Sequence, residues 1–430
     1  MVPSKALKFC MVTTFYPPYH FGGDGVFVYR LTQALAERGH SVDVIHSVDA
    51  YRLQHPQEPE TTFSHHPNVR RHPLTTRTPK LSILASHQLG SPAAYSRRLR
   101  RLLNKGDYDV IHFHNISLMG GPGVLRLGRA VKLYTAHEYW LVCPTHVLFK
   151  FNEVACVEKQ CLLCTLKYRR PPQLWRYTSL MTRCLREIDC LLAPSRFAQE
   201  RLQTDGVRCP MRLLPHFVPL PPAQTGAPRD PNEGRPYFLF VGRLEKLKGV
   251  QDLIRVFARY RNADLLIVGS GHHASSLREQ ARELKHVRFL GTVHSSEISE
   301  LYRGAIAVLV PSLCYETFGL IAAEAFAHGT PVIARRIGAL AEIIGQSGGG
   351  RLFDTLEQCR AEMESLRTEP GLRDQLGARG RDAVTENWTA DVHLTRYLQI
   401  VESLIATRAH TRGAKQDQRS AAARGRVASL

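Results

Sequence analysis

The 430-residue chain has no run of about eighteen apolar residues, the length a helix needs to cross a bilayer, so no membrane span is expected. Its first residues, MVPSKALKFCMVTTF, hold no apolar stretch long enough for an export signal before the first strand. Ten cysteines without such a signal read as reduced thiols, not as a disulfide framework. Together these absences point to a cytoplasmic location, with the membrane surface left open. Acidic residues are scarce: 38 Asp and Glu face 57 Lys and Arg, a formal charge of +19. That balance favours anionic partners such as nucleotides or an acidic membrane face. The tail from Arg408 to Leu430 carries six basic residues and one acid, a net five of the nineteen. Aromatic interleaving is thin and no RNA- or DNA-binding module accompanies the charge, which argues against nucleic acid as the partner.

What is present is a 43% hydrophobic chain long enough for two or three domains. KFCMVTTF reads as a strand, YPPYHFGGDG as a loop, VFVYRLTQALAERG as an amphipathic helix and SVDVIHS as the next strand. Further strands are expected at 109–114, 131–136 and 189–195, and helices at 83–104, 173–187 and 195–204. A second alternating series follows from YFLFVG through PVIA. Such alternation predicts an α/β fold of two Rossmann-like halves with parallel sheets facing a cleft. The expected layout is an N-terminal half over 1–215 with a cysteine-containing insertion near 143–170. A Pro- and Gly-rich linker over 216–236 and a C-terminal half over 237–386 come next. A helix over 387–408 is expected to pack back on the first half, ahead of an unstructured basic tail over 409–430.

The run YETFGLIAAEAFAHGTPVIA places two carboxylates, Glu316 and Glu324, in otherwise small and apolar surroundings. An unpaired buried charge is costly, so each needs a partner. A helix is expected to open at Gly319, which leaves the N–H groups of Phe318, Gly319 and Leu320 as orphan donors at a positive dipole end. A diphosphate at that tip could offer hydroxyls to a carboxylate on each side, which is the layout of a nucleotide-sugar. In FLFVGRLEKLKGV, Arg243 and Lys248 follow a strand and could neutralise such a diphosphate as it leaves.

GRLEKLKG, IVGSG and ETFGLIAAEAFAHGTPVIA, together with FYPPYHFGGDG, TAHEYW and APSRF, resemble the family 4 glycosyltransferases of GT-B architecture over roughly residues 8–354. The resemblance implies that Arg243 and Lys248 hold the donor diphosphate. By the same likeness Glu316 meets the donor sugar's hydroxyls and Glu324 those of the ribose, as the two acids of the family's E-x7-E motif. It implies that Gly22, Gly23 and Gly269 belong to the donor site and that His137 lies near the sugar's reacting face. It further implies a retaining, front-face transfer to a glycan or lipid-linked acceptor, with no metal required, in polysaccharide or glycolipid synthesis. Glu138 stands where the family often has Asp, and PHFVP replaces the family's usual turn before the linker. A non-catalytic nucleotide-sugar binder and a nucleotide-sugar 2-epimerase of the same architecture are the alternative readings.

Cys143, Cys156, Cys161 and Cys164 fall in one loop-like segment, and C-x2-C is metal-ligand spacing, so a structural zinc or iron–sulfur site is expected there. The basic stretches 95–105 and 167–186 are expected to lie on anionic lipid.

Overall fold

The computed structural model describes residues 5–55, 57–59, 62–221 and 235–427. The first lobe contains β1 (Lys8–Val12), β2 (Ser41–Ser47), β3 (Val69–Leu74), β4 (Val110–Phe113) and β5 (Val131–Thr135). A small antiparallel hairpin follows, β6 (Phe149–Lys150) with β7 (Val154–Ala155), and then β8 (Cys190–Ala193) and β9 (Met211–Leu213). Seven of these strands make one sheet in the order β3-β2-β1-β4-β5-β8-β9, parallel throughout. The second lobe holds β10 (Tyr237–Val241), β11 (Asp264–Val268), β12 (Val287–Gly291), β13 (Val308–Val310), β14 (Val332–Arg335) and β15 (Gly350–Phe353). They form a six-stranded parallel sheet in the order β12-β11-β10-β13-β14-β15.

The strand order reverses at β1 in one lobe and at β10 in the other. These are the switch points at which open α/β sheets form crevices at their carboxyl edges. Each central strand is buried on both faces because alternate side chains enter different cores. Phe9 and Met11 pack with Phe27, Val28 and Leu31 of the helix Gly22–Glu37, while Cys10 and Val12 pack with Ile111, Phe113 and Tyr134 on the other side. In β10, Phe238 and Phe240 meet Leu253 and Phe257, and Leu239 turns to Ala322 and Phe326. Near-continuous apolar strands are what such double coverage requires.

Several elements differ from the sequence expectation. The helix expected over 83–104 is two helices, Pro79–Leu89 and Ser96–Lys105, because Gly90 takes φ 60° and Pro92 follows. The helix expected over 173–187 is a 3-10 turn, Leu174–Tyr177, and a short helix, Leu180–Leu185. The linker expectation falls mostly on residues 222–234, outside the described residues. The chain expected to be an unstructured tail from 409 continues the helix Ala390–Val427. Its Ala- and Arg-rich composition has high intrinsic helix propensity, which outweighs its polarity. That helix buries Leu394, Tyr397, Leu398 and Val401 against Phe9 and Phe27 of the first lobe. Among the described residues no helix is long and apolar enough to cross a membrane.

Candidate active site

A cleft of about 1560 Å³ separates the lobes and receives the carboxyl ends of β1, β4, β5, β10, β11 and β13. All the residues nominated above for donor binding and reaction line it: Gly22, Gly23, His137, Arg243, Lys248, Gly269, Glu316, Phe318, Gly319, Leu320 and Glu324. The glycine loop faces the second lobe closely. A Cβ added at Gly23 would sit 3.0 Å from Leu320 Cδ1, and one at Gly22 would sit 3.9 Å from Arg243 Cδ. Gly22 also has φ +65°, a conformation that side-chain-bearing residues rarely adopt. Gly269, at φ +131°, backs directly onto the Gly242 carbonyl, where a Cβ would collide.

The acids of the apolar run have partners. Glu316 Oε1 accepts from Lys248 Nζ at 2.7 Å and from Ser312 Oγ at 2.7 Å. Burial works against both charges, yet the mutual attraction and hydrogen bond prevail. Glu316 is held below its ordinary carboxyl range and Lys248 above its ordinary ammonium value. Glu324 Oε1 accepts from Arg30 Nη1 and Nη2, both at 3.1 Å, and its other oxygen accepts from Tyr302. Arg30 comes from the first lobe's helix Gly22–Glu37, so this pair bridges the cleft. Arg243 pairs with Glu245 at 3.0 Å and keeps half its side chain exposed.

The tip of the helix Leu320–Ala327 carries no side-chain cap, and its N-cap residue Gly319 has φ 101°. The helix therefore starts one residue later than expected, with its first amides directed to the cleft-lining end. Thr317 Oγ1 donates to the His137 carbonyl at 2.9 Å, and Ser195 Oγ donates to the Thr317 carbonyl at 2.8 Å. These bonds tie the loop before that helix to the first lobe.

Sequence reasoning missed Asp24. It lines the cleft beside the glycine loop and accepts from the Gly25 amide at 2.9 Å. Burial, assisted by the Glu138 charge, pushes its carboxyl up to about 6. The run FGGDG held the signal, since a carboxylate within a glycine loop must face what the loop approaches. Arg30 and Ser312 were missed as well, because only the folded chain brings them to the two glutamates.

The four insertion cysteines line one small separate pocket between the hairpin β6–β7 and the helix Cys161–Lys167. Among the described residues, however, no three His, Cys, Asp or Glu side chains are gathered as a metal centre requires. All ten cysteines are free thiols.

Comparison with known proteins bears on the family and the fold. Residues 21–221 match the model "Glycosyltransferase Family 4" and residues 226–383 match "Glycosyl transferases group 1". A D-inositol 3-phosphate glycosyltransferase of Pseudarthrobacter chlorophenolicus is 30% identical over 401 residues, 89% of this chain and 91% of that protein. An MMP alpha-(1->4)-mannosyltransferase of Mycolicibacterium hassiacum is 27% identical over 420 residues, covering 90% and 96% of the two chains. Among solved structures, a sucrose-phosphate synthase of Thermosynechococcus elongatus superposes with a TM-score of 0.72 at 21% identity, covering 93% of this chain and all of that one. Anabaena HepE in complex with UDP and glucose gives 0.66 at 16% identity, covering 92% and 100%. At those identities the superpositions speak for the fold alone. On the sequence relatives and the two-sheet architecture together, the chain belongs to glycosyltransferase family 4 and has the GT-B fold.

Proposed function

We propose that the protein is a retaining transferase that moves a sugar from a nucleoside-diphosphate donor to a hydroxyl of a glycan or lipid-linked acceptor. The observation that carries this reading is the Lys248–Glu316 pair, set beside Arg243 and opposite Gly22 in the interlobe cleft. In this reading Arg243, Lys248 and the first amides of Leu320–Ala327 receive the diphosphate. Glu316 orients the sugar, and Glu324 takes the ribose hydroxyls as Arg30 yields one of its bonds. The bond from the anomeric carbon to the phosphate oxygen breaks while the acceptor oxygen bonds to the same face. The acceptor's proton passes to the departing phosphate. The charge that develops on the diphosphate is met by fixed cations and dipoles, and preorganised groups of that kind lower such a barrier most. A panel of UDP-, GDP- and ADP-sugars tests it: one base is expected to raise the unfolding temperature and to give product with the donor's anomeric configuration. No shift with any of them sinks the reading. An inverted product sinks the retaining mechanism, and a C2-epimerised nucleotide-sugar favours the epimerase alternative.

The acceptor is read as presented at an anionic membrane face, as in polysaccharide or glycolipid assembly. Support comes from exposed apolar side chains on the first lobe, next to the cleft mouth. Leu81, Leu84 and Leu89 stand on one helix, Leu166 on the insertion, and Leu174 and Tyr177 on the 3-10 turn that follows it. Exposed Lys80, Lys167, Arg169 and Arg170 accompany them. The stretch 95–105 is less suited than its sequence implied, because Leu99 and Leu103 are buried and its fully exposed side chains are polar or basic. Anionic vesicles are expected to sediment the protein at low salt, and L84E/L174E together to abolish this. Wild-type protein that stays in the supernatant removes the membrane reading.

A further inference from the structure

Three histidines from separate segments form a continuous chain of imidazoles at the cleft wall, which His137 and His216 line. His114 follows β4, His137 follows β5, and His216 lies in the segment leading out of β9. His114 Nδ1 is 2.9 Å from His137 Nε2, and His137 Nδ1 is 3.2 Å from His216 Nε2. His114 and His216 are buried, and their outer nitrogens, His114 Nε2 and His216 Nδ1, have no hydrogen-bond partner among the described residues. The rings are braced from outside. His112 lies 4.0 Å from His114 centroid to centroid and is itself tied to Thr135 and Tyr397. Phe27 of the glycine-loop helix lies 4.1 Å from His216, and Phe318 at the diphosphate tip lies 5.6 Å from it.

We propose that His114 and His216 are positioning residues for the transfer: they engage both ring nitrogens of His137, so His137 shapes the cleft wall and exchanges no proton with substrate. The inference rests on the transferase reading of the cleft.

The proton count supports it. Three neutral imidazoles bring three N–H groups and three lone pairs. Two ring-to-ring bonds use two of each, which leaves one N–H at one end and one lone pair at the other. Fixing the tautomer of any ring therefore fixes all three. Burial holds the rings in that neutral state: His137 is lowered to about 3, and His114 and His216 are held well below the ordinary imidazole value. His216 adds a link between lobes, since it touches Phe27 of the first and Phe318 of the second. The backbone carbonyl of His137 receives Thr317 from the second lobe, so the same residue is held at both its ring and its main chain.

The test uses the full-length protein with four variants. His114→Phe and His216→Phe keep ring volume and delete the bonds. His114→Asn places an amide near the lost Nδ1, and His216→Gln places one near the lost Nε2. Nitrogen-15 spectra of wild-type histidines should show two exchange-protected N–H protons between imidazoles, and His216→Phe should lose the one between His137 and His216. This arm needs no turnover, so it reads the chain even if the donor assignment fails. In the turnover arm each Phe variant should lose kcat on the order of ten- to a hundred-fold, with donor KM unchanged. The amide variants should recover most of it, and the double Phe variant should be no worse than the poorer single. Absence of the protected protons, unchanged kcat in both Phe variants, or strictly additive losses would each overturn the proposal.

Discussion

Lys248→Ala is expected to lower kcat/KM for the donor by roughly a hundred- to a thousand-fold, the cost of removing one preorganised group at a developing charge. Two losses combine. The ammonium no longer meets the leaving diphosphate, and Glu316 loses its 2.7 Å partner within a partly buried site. The abandoned carboxylate then relaxes towards protonation, because burial already raises it and Lys248 is the chief group that holds it down, ahead of Ser312 and Arg243. The two shifts also set the pH dependence of stability. Glu316, lowered in the fold, stabilises above its unfolded value and loses that contribution as the medium acidifies. Lys248, raised in the fold, stabilises below its unfolded value and loses the contribution in alkali. Neutral pH therefore has both contributions. Lys248→Ala should cost stability there, while Lys248→Met with Glu316→Gln should restore the unfolding temperature without restoring turnover. If Lys248→Ala turns over the donor at the wild-type rate, the diphosphate does not meet this ammonium.

Asp24→Asn is expected to remove an acidic limb from the rate profile. The Asp24 carboxyl titrates at about 6 because burial and the Glu138 charge disfavour its ionised form. With the Asp24 carboxylate aligning the acceptor hydroxyl, wild-type kcat/KM rises with pH through about 6 and levels off above it. The Asn variant should be slower by roughly a hundred-fold and flat across that range, the order of loss from a misplaced acceptor. Stability runs the other way. With its folded value raised, the native state binds the proton more tightly than the unfolded chain, so ionisation of Asp24 destabilises the fold as pH climbs to about 6. Asp24→Asn should therefore unfold at a higher temperature than wild type at pH 7. A rate profile that keeps its limb in Asp24→Asn assigns that limb to another group.

Much of the site could be read in the sequence where chemistry and local order coincide. Arg243 and Lys248 occupy one strand-to-helix loop, and Glu316 precedes a helix tip, so parallel α/β topology alone sends them to the same carboxyl edge. The puzzle of carboxylates in an apolar run is answered by partners from elsewhere: Lys248 and Ser312 for Glu316, Arg30 for Glu324. Arg30 could not be foreseen, because it stands on the opposite lobe 294 residues away. His114 and His216 were illegible for the same reason, as their spacing from His137 carries no period that a helix or strand would impose. Gly90 and Pro92 lie inside 83–104 as two breakers, and the structure divides the expected helix at them. The C-x2-C spacing constrains one helical turn, whereas the fold alone brings Cys143 and Cys156 to the same small pocket as Cys161 and Cys164.

The central claim is that a nucleoside diphosphate lodges between the lobes, and an experimental structure with that ligand at saturation measures it most directly. The terminal phosphate is expected within hydrogen-bonding distance of the Arg243 guanidinium, the Lys248 ammonium and the first amides of Leu320–Ala327, with the ribose at Glu324. A diphosphate bound elsewhere, or a cleft that stays free of it at saturation, would contradict the claim.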